Sequence, residues 1–163
     1  MMFIPEARRD NRECLYVTET VRRRFAGLKA DISARGETIR SVSAAICVHP
    51  MRLYQSCNGI SYLYLDSYLK LGEFMKWDLR RDVNYIYANV IYQPDELILR
   101  LRHIGIRTYR ELTHRIGYGT RDMISGSVKY SRKRTLQCFG AILYYISSEE
   151  HKAGYPDAIE LED

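Results

Sequence analysis

Residues 38–59, TIRSVSAAICVHPMRLYQSCNG, have the pattern of two short helices joined by a tight turn. Thr38 can cap the first helix, because its hydroxyl oxygen can accept a hydrogen bond from a free amide of the first turn. Pro50 suits the first turn of the second helix, since the amide proton that it lacks would have no partner there. The pair Asn58-Gly59 suits the left-handed backbone that ends many helices. The second helix is then expected to present polar and basic side chains outward.

The inner side of this helical pair is apolar. Val42, Ala45 and Ile46 give the first helix an apolar face, and Leu53 faces the same core from the second helix. Ser43 is a small residue at the place where the two helices must cross closely. The pattern therefore predicts a helix-turn-helix unit with its own small core.

Neighbouring segments supply further helices for that core. The segment from Val21 to Arg35 has apolar residues at helical spacing, and Gly36 follows as a C-cap. Residues 65–75 show the same spacing and predict a helix that closes the unit. Residues 78–93 are rich in β-branched and aromatic side chains, yet their apolar residues fall on one helical face. We predict a helix there that bridges to the rest of the chain.

A second copy of the pattern lies about 70 residues further along the chain. It is preceded by a helix predicted to start at Pro94 and to stop at Gly105, and Thr108 with Glu111 forms a T-x-x-E capping box. The aligned pairs are Thr38 with Thr108, Val42 with Leu112, Ser43 with Thr113, Ile46 with Ile116, Cys47 with Gly117, and Leu53 with Met123. One extra residue, assigned to the loop after the second helix, brings residues 136–146 over residues 65–75.

The repeated pattern resembles the lambda-repressor-like (Xre/Cro) helix-turn-helix family of DNA-binding domains, over residues 21–77 and again over 94–146. The resemblance rests on the apolar spacing and on the turn, where Gly117 matches the glycine most common in the family. It departs at Ser56, which stands where an apolar residue is expected, and at Gly126 in the second copy. It implies an all-α protein of two tandem lambda-repressor-like helix-turn-helix bundles with an N-terminal helical extension. The expected divisions are the extension at 1–20, the two bundles at 21–92 and 93–147, and an acidic tail at 148–163.

The resemblance also implies which residues contact DNA, since the second helix of this motif enters the major groove with its N-terminal residues at base edges. The implied positions in the first copy are Thr38, His49, Met51, Arg52 and Gln55. In the second copy they are Thr108, Thr120, Arg121 and Ser125, followed by a basic loop of Lys129, Arg132, Lys133 and Arg134 for phosphates. Arginine suits guanine edges and glutamine suits adenine edges. For Arg52 and Gln55 an ordinary solvated helix face is the alternative, and for His49 a helix cap.

Charge is unevenly distributed along the 163 residues, whose formal net charge is +5. After Ser148, six acidic residues stand against Lys152 alone, so the tail carries −5 and the preceding chain +10. A basic body favours a polyanionic partner through attraction to phosphates and release of their counterions, although it also keeps a surface soluble. We expect the acidic tail to be a disordered solubilising end, or alternatively a competitor with DNA for the basic face.

Other classes of function find little support in the residues. The chain has no recognisable catalytic triad and no glycine-rich phosphate loop after a strand, so we expect no enzyme activity, metal or cofactor. Four cysteines without a CxxC pair favour a reducing compartment over a disulfide framework. Without a signal-peptide pattern or an apolar run of membrane-spanning length, we expect a cytoplasmic protein with no membrane partner, nucleoid-associated in a bacterium.

The function expected from the resemblance is sequence-specific binding of double-stranded DNA in transcription regulation, of the bacterial or phage kind. Two recognition helices in one chain can address adjacent half-sites. Alternatively, the second unit is a dimerisation module and the chain binds DNA as a homodimer. A different class of function is protein binding, as a phage- or plasmid-type inhibitor or co-regulator with RNA polymerase or another protein as its partner. RNA binding is a third alternative.

Overall fold

A computed structural model describes residues 19–78, 93–117 and 119–160. Within those residues the protein is all-α, with eight α-helices and no strand, as expected from the sequence. The helices are α1 (Glu19–Ala34), α2 (Ile39–Ala45), α3 (Pro50–Cys57), α4 (Leu65–Met75), α5 (Pro94–His103), α6 (Tyr109–Ile116), α7 (Arg121–Lys129) and α8 (Leu136–Ala153), with a 3-10 turn at Ser131–Lys133. The predicted bridging helix at 78–93, apart from its two end residues, lies outside the described residues, as does nearly all of the predicted N-terminal extension. In the described part of the chain, no helix is long and apolar enough to cross a membrane.

Helices α1 and α5 end with the same backbone arrangement. The amide of Glu37 donates a hydrogen bond to the Ile32 carbonyl over 3.0 Å, and the amide of Ile106 donates to the Leu101 carbonyl over 2.9 Å. The residue before each amide is a glycine with φ of +71° or +90°, which lets the chain turn back without a Cβ clash. These glycines are Gly36 and Gly105, both predicted as helix ends.

Helices α2 and α6 begin with threonine caps, as predicted. The Thr38 hydroxyl accepts from the Ser41 amide over 3.0 Å, and the Thr108 hydroxyl accepts from the Glu111 amide over 3.1 Å. At the first cap the Thr38 amide also donates to the Ser41 hydroxyl over 2.9 Å, which completes a capping box. The box was predicted at the second cap instead, where the described hydrogen bonds include only the Thr108 half of it. Each cap satisfies a helix amide that would otherwise lack a partner.

The turns after α2 and α6 differ by one residue. Both begin in the left-handed region, at Cys47 with φ of +58° and at Gly117 with φ of +67°. The first turn reaches the N-cap of α3 at His49, whereas the second needs one more residue to reach the N-cap of α7 at Thr120. The extra residue therefore lies within the second turn, and α3 corresponds to α7 at an offset of 71 residues.

This offset corrects the predicted alignment of Leu53 with Met123. Leu53 is fully buried, but Met123 is 45% exposed, and Ile124 is the buried counterpart. The sequence pattern could not separate the two, because Met123 and Ile124 are both apolar and adjacent. The same shift pairs Ser56 with Ser127, both buried, rather than with Gly126. The Ser56 hydroxyl donates to the Ser61 carbonyl over 2.8 Å, which explains how a serine occupies an apolar site.

The loops before α4 and α8 pair with each other. Residues 63–65 and 134–136 form an isolated antiparallel bridge centred on Tyr64 and Thr135. The amide after each centre donates to the carbonyl before the other centre, and the two bonds run from Leu65 to Arg134 over 2.7 Å and from Leu136 to Leu63 over 3.3 Å. Since these residues correspond at the same offset of 71, exchanging the two loops converts one hydrogen bond into the other. The bridge therefore lies on an approximate two-fold axis.

Apolar side chains from both sides of the bridge form one continuous core. In the first unit α1 contributes four buried residues, and the ring of Phe25 lies 5.4 Å from that of Tyr62 and 5.8 Å from that of Tyr68. The four residues of α1 are Val21, Phe25, Leu28 and Ile32. Helix α5, the counterpart of α1, buries Leu97 and Leu101.

The C-terminal residues are folded against the second unit. Helix α8 continues beyond residue 148 to end before Gly154, and Ile159 then returns to the core with 3% of its surface exposed. The Ile159 amide donates to the Glu150 carboxylate over 3.3 Å, and the same carboxylate pairs with Arg100 of α5 at 2.7 Å. The expectation of a disordered tail is therefore wrong for residues 148–160. Glu150 is held by Arg100 and is not available to compete with DNA.

Candidate nucleic-acid interface

The first turn of α3 presents two long side chains to solvent. His49 caps this helix, since its Nδ1 accepts a hydrogen bond from the Met51 amide over 3.1 Å, and Pro50 follows as the first helical residue. Met51 is 55% exposed and Arg52 is also exposed. The cap that was the alternative role for His49 is therefore present, and it orients the helix end from which Met51 and Arg52 project.

Arg52 is held beside the bridge between the two units. Its guanidinium carbon lies 4.6 Å from the centroid of the Tyr64 ring, a cation–π contact that orients the side chain. A groove of about 310 Å³ runs along this contact and is lined by Cys47, Val48, His49, Arg52, Leu63, Tyr64 and Ser67. Gln55, one turn further along α3, is half-buried. The long Arg52 side chain therefore reaches from α3 to the bridge on which the approximate two-fold axis lies.

Helix α7 exposes a different set of residues at the equivalent end. The Thr120 hydroxyl accepts from the Met123 amide over 3.3 Å, and Arg121 is the first helical residue. The Arg121 Nε lies 3.9 Å from the Asp122 carboxylate, and both side chains are largely exposed. At the offset of 71, Asp122 corresponds to Met51 and Met123 to Arg52. The sequence pattern does not single out Asp122 and Met123, because it places the extra residue after α7, whereas the structure has it before α7.

Ser125 is a weaker candidate than the sequence alignment suggested. It is half-buried, and its hydroxyl donates to the Asp122 carbonyl over 3.3 Å, within its own helix. Its counterpart at the offset of 71 is Tyr54, whereas Gln55 corresponds to Gly126. The glutamine of the first copy therefore has no side-chain equivalent in the second.

Three of the four cations predicted for the basic loop are exposed. Lys129, Arg132 and Lys133 are exposed after or at the end of α7. The Lys129 ammonium lies 5.0 Å from the Tyr109 ring centroid, and the Lys133 ammonium lies 4.9 Å from that of Tyr130. Because α7 rises about 1.5 Å per residue, Lys129 is roughly 12 Å along the helix from Arg121. These cations therefore form a group separate from the N-terminal end of α7.

Arg134 is not a surface cation, so its expected contact with phosphate is wrong. The residue is fully buried, its guanidinium carbon lies 4.5 Å above the Phe139 ring, and its Nε donates to the Ser127 carbonyl over 2.8 Å. Burial lowers the pKa of Arg134 from its ordinary value to about 10, an effect that the nearby Asp66 carboxylate partly offsets. The side chain therefore stays charged at neutral pH. It lies inside because its position in the bridge corresponds to that of Leu63.

Thr38 and Thr108 occupy equivalent exposed positions at the starts of α2 and α6. Each hydroxyl oxygen already accepts a helix amide, as described above, which leaves the hydroxyl proton to serve as a donor. A phosphate oxygen is a suitable acceptor for that proton. Both hydroxyl groups are exposed and can donate in this way, and the capping bond gives both residues a structural role as well.

Cysteine and metal chemistry add little to this surface. Cys47, Cys57 and Cys138 are free thiols, and burial raises the pKa of the Cys57 and Cys138 thiols. A raised pKa lowers the thiolate fraction and with it the reactivity of both groups. Across the described residues, no group of three or more His, Cys, Asp or Glu side chains could hold a metal ion.

The exposed ends of α3 and α7 carry side chains that suit base edges. Arginine can donate two hydrogen bonds to guanine, and an aspartate can accept one from the cytosine amino group. Compared with protein-family models, curated proteins and solved structures, the chain has no match. What this surface binds is therefore inferred from its geometry and chemistry.

Proposed function

We propose that the protein is a sequence-specific, double-stranded-DNA-binding transcription regulator built from two tandem lambda-repressor-like helix-turn-helix bundles. Helices α3 and α7 are its recognition helices and enter the major groove. One observation carries the proposal: the two helices expose their N-terminal ends above equivalent buried residues, after turns that both begin in the left-handed region and differ in length by one residue. In helix-turn-helix proteins that end of the second helix contacts base edges.

The residue types at those ends support recognition of bases. Arg52 and Arg121 are exposed arginines in or at the start of a first helical turn, where their length lets them reach guanine edges. Gln55 can bond an adenine edge, and Met51 can contact a thymine methyl group. Such contacts discriminate between bases, whereas a uniformly basic surface does not.

Cations away from the helix ends support contact with the DNA backbone. Lys129, Arg132 and Lys133 are exposed together, and their charges can neutralise phosphates without selecting a sequence. Thr38 and Thr108 can donate to phosphates from the starts of α2 and α6. Binding is therefore expected to weaken as salt concentration rises.

A binding assay on selected duplexes tests the proposal. The duplex most enriched from a random pool and a scrambled duplex of equal composition are compared by fluorescence anisotropy between about 50 and 200 mM salt. We expect the enriched duplex to bind at least about a thousandfold more tightly. Equal and weak binding of both duplexes, even at the lowest salt, would overturn the proposal.

Matched arginine variants locate the interface within the same assay. Arg52→Ala is expected to weaken binding to the enriched duplex by about 1–3 kcal/mol, because a base contact is lost. The control is Arg23→Ala, which removes the same charge from α1, where Arg23 is 78% exposed and pairs with Glu19 at 2.6 Å. The control is expected to leave the preference for the enriched duplex unchanged.

Exposed apolar side chains favour protein binding as a second candidate function. Met51, Tyr54 and Met123 are 55%, 46% and 45% exposed on α3 and α7, where a protein partner could bury them. The partner would then be RNA polymerase or another regulator. In that case the Arg52→Ala and Arg23→Ala variants would bind every duplex equally, and Met51→Ala would impair the protein complex.

A further inference from the structure

The bridge at residues 63–65 and 134–136 fixes how the two recognition helices are related. From the cap of α3 to the end of α4, each residue has its counterpart 71 positions later, between the cap of α7 and the middle of α8. Both segments therefore contain a recognition helix and one side of the isolated bridge, with no insertion between them. Because the bridge pairs equivalent residues in antiparallel fashion, it relates the two segments by a half-turn. Helices α3 and α7 are thus related by an approximate two-fold rotation and not by a translation.

A two-fold relation has a direct consequence for a DNA site, since duplex DNA has two-fold axes perpendicular to its length. Two-fold-related recognition helices match half-sites in inverted orientation, centred one helical turn or a multiple of it apart. We propose that one chain binds one inverted repeat as an intramolecular dimer, with α3 on one half-site and α7 on the other. This inference rests on the proposed DNA-binding function and adds the orientation, the symmetry and the stoichiometry of the site.

The bridge also opposes the alternative of a homodimer that forms through the same surface. The amides of Leu65 and Leu136 and the carbonyls of Leu63 and Arg134 are already paired within the chain. The bridge side chains Leu63 and Arg134 are both fully buried. A second chain would have to break these bonds in order to use the same pairing. A single chain therefore already contains both halves of the two-fold arrangement.

The two half-sites are unequal because the recognition helices differ at each exposed position. Arg52 of α3 corresponds to Met123 of α7, and Gln55 corresponds to Gly126, which has no side chain. Helix α7 instead presents Arg121 and Asp122, suited to a guanine and to the amino group of cytosine. The expected site is therefore an imperfect inverted repeat, with guanine and adenine preferences in the α3 half. The α7 half is expected to contain fewer specified base pairs, because Gly126 makes no side-chain contact there.

Selection from duplexes with about 30 randomised base pairs, three turns of B-DNA, tests this arrangement. The wild-type chain is expected to enrich an imperfect inverted repeat with half-site centres about 10 base pairs, or a multiple, apart. Native mass spectrometry of the complex is expected to give one chain per duplex. A direct repeat, or two chains on one full site, would overturn the inference while leaving the proposed function intact. No enrichment of any sequence would instead overturn the proposed function.

Two variants assign the half-sites, and neither threatens folding, because Arg52 and Arg121 are exposed. Arg52→Ala is expected to abolish base preference at one position of one half-site, with about a 5- to 150-fold loss of affinity for the original duplex. Arg121→Ala is expected to do the same in the other half-site. Loss of preference in the same half-site for both variants would overturn the inference. Circular dichroism of each variant confirms that the helices are retained.

Discussion

The two units differ most in what surrounds their shared backbone arrangement. Helix α1 spans Glu19–Ala34 and buries four apolar side chains, whereas α5 spans Pro94–His103 and buries two. The second unit adds a longer final helix, the returning segment with Ile159, and the ion pair of Arg100 with Glu150. The comparison teaches that a shorter first helix can be compensated by contacts from the C-terminal residues. Residues 148–160 of the acidic end are thus part of the fold.

The bridge shows the same difference on a smaller scale. Leu63 and Arg134 occupy equivalent positions and are both fully buried. Leucine needs no polar partner, but the arginine is accommodated because its Nε donates to the Ser127 carbonyl and its guanidinium lies above the Phe139 ring. A buried polar group is tolerated where its hydrogen bonds are satisfied. Equivalent backbone geometry can therefore be maintained by unlike side chains.

The largest expected effect comes from removing the ion pair of Arg100 with Glu150 in the second unit. Glu150→Ala is expected to lower the free energy of unfolding by about 3–5 kcal/mol, because the buried Arg100 guanidinium loses its 2.7 Å carboxylate partner and keeps the more exposed Glu96 at 3.3 Å. Urea unfolding measures the change as a lower midpoint. The control, Glu149→Ala, removes a surface pair with Lys152 and should cost less than about 0.5 kcal/mol. Equal effects of the two variants would mean that the C-terminal segment does not stabilise the second unit.

The corrected register of α7 is tested by two neighbouring apolar residues. Ile124→Ala is expected to lower the free energy of unfolding by about 3 kcal/mol, because it leaves a cavity in the core at the position that corresponds to Leu53. Met123→Ala is the matched control and should change stability by less than about 0.5 kcal/mol, since Met123 is half-exposed. If the methionine variant were the less stable one, the extra residue would lie after α7 and not before it.

Substitution of Arg134 tests whether the second unit tolerates a leucine at this buried bridge position, as the first unit does at Leu63. Arg134→Ala is expected to lower the free energy of unfolding by about 2 kcal/mol, because the Ser127 carbonyl loses its donor and a cavity remains. Arg134→Leu, which copies Leu63, should lose less, since the leucine refills part of the space. The exposed Arg132→Ala is the control for charge and should be nearly neutral. A neutral Arg134→Ala variant would contradict the buried placement.

The glycine of the second turn is expected to have a smaller effect. Gly117→Ala should lower the free energy of unfolding by about 1 kcal/mol, because Gly117 has φ of +67° and a Cβ is strained there. Gly126→Ala should instead raise it by about 0.5 kcal/mol, since Gly126 is within a helix and its added Cβ would lie in ordinary contact with the Lys133 side chain, at 3.7 Å. Thermal unfolding of both variants measures the sign. Destabilisation by both variants would contradict the expectation that α7 tolerates a Cβ at Gly126.

The smallest effect is expected at Cys47, which occupies the left-handed turn position where the second unit has Gly117. Cys47→Gly should raise the free energy of unfolding by about 0.5 kcal/mol, because glycine relieves strain at φ of +58° but adds freedom to the unfolded chain. Cys47→Ala keeps a Cβ and should leave stability unchanged. A gain from the alanine variant would assign the effect to the thiol and not to the backbone.

Local features of the sequence were sufficient to predict much of the fold. The caps at Thr38 and Thr108, Pro50 in a first turn, and glycine at the ends of α1 and α5 were all predicted correctly. These features depend on groups within a few residues of one another, so the chain itself carries the information. The apolar spacing of the helices is equally local, and it predicted the all-α character that the described residues show.

Tertiary structure decided the features that depend on residues far apart in the chain. Apolar spacing could not choose between Met123 and Ile124, and the sequence placed Arg134 in a basic surface loop and residues 148–160 in a disordered tail. The placement of residues 148–160 depends on a distant partner, through the ion pair of Arg100 with Glu150, and the bridge joins the backbone of Leu65 to that of Arg134. A charged side chain is exposed unless the folded chain supplies its hydrogen bonds. The sequence by itself determined the caps of α2 and α6 and the glycine ends of α1 and α5, and only the packing of the helices determined which side chains are exposed to a partner.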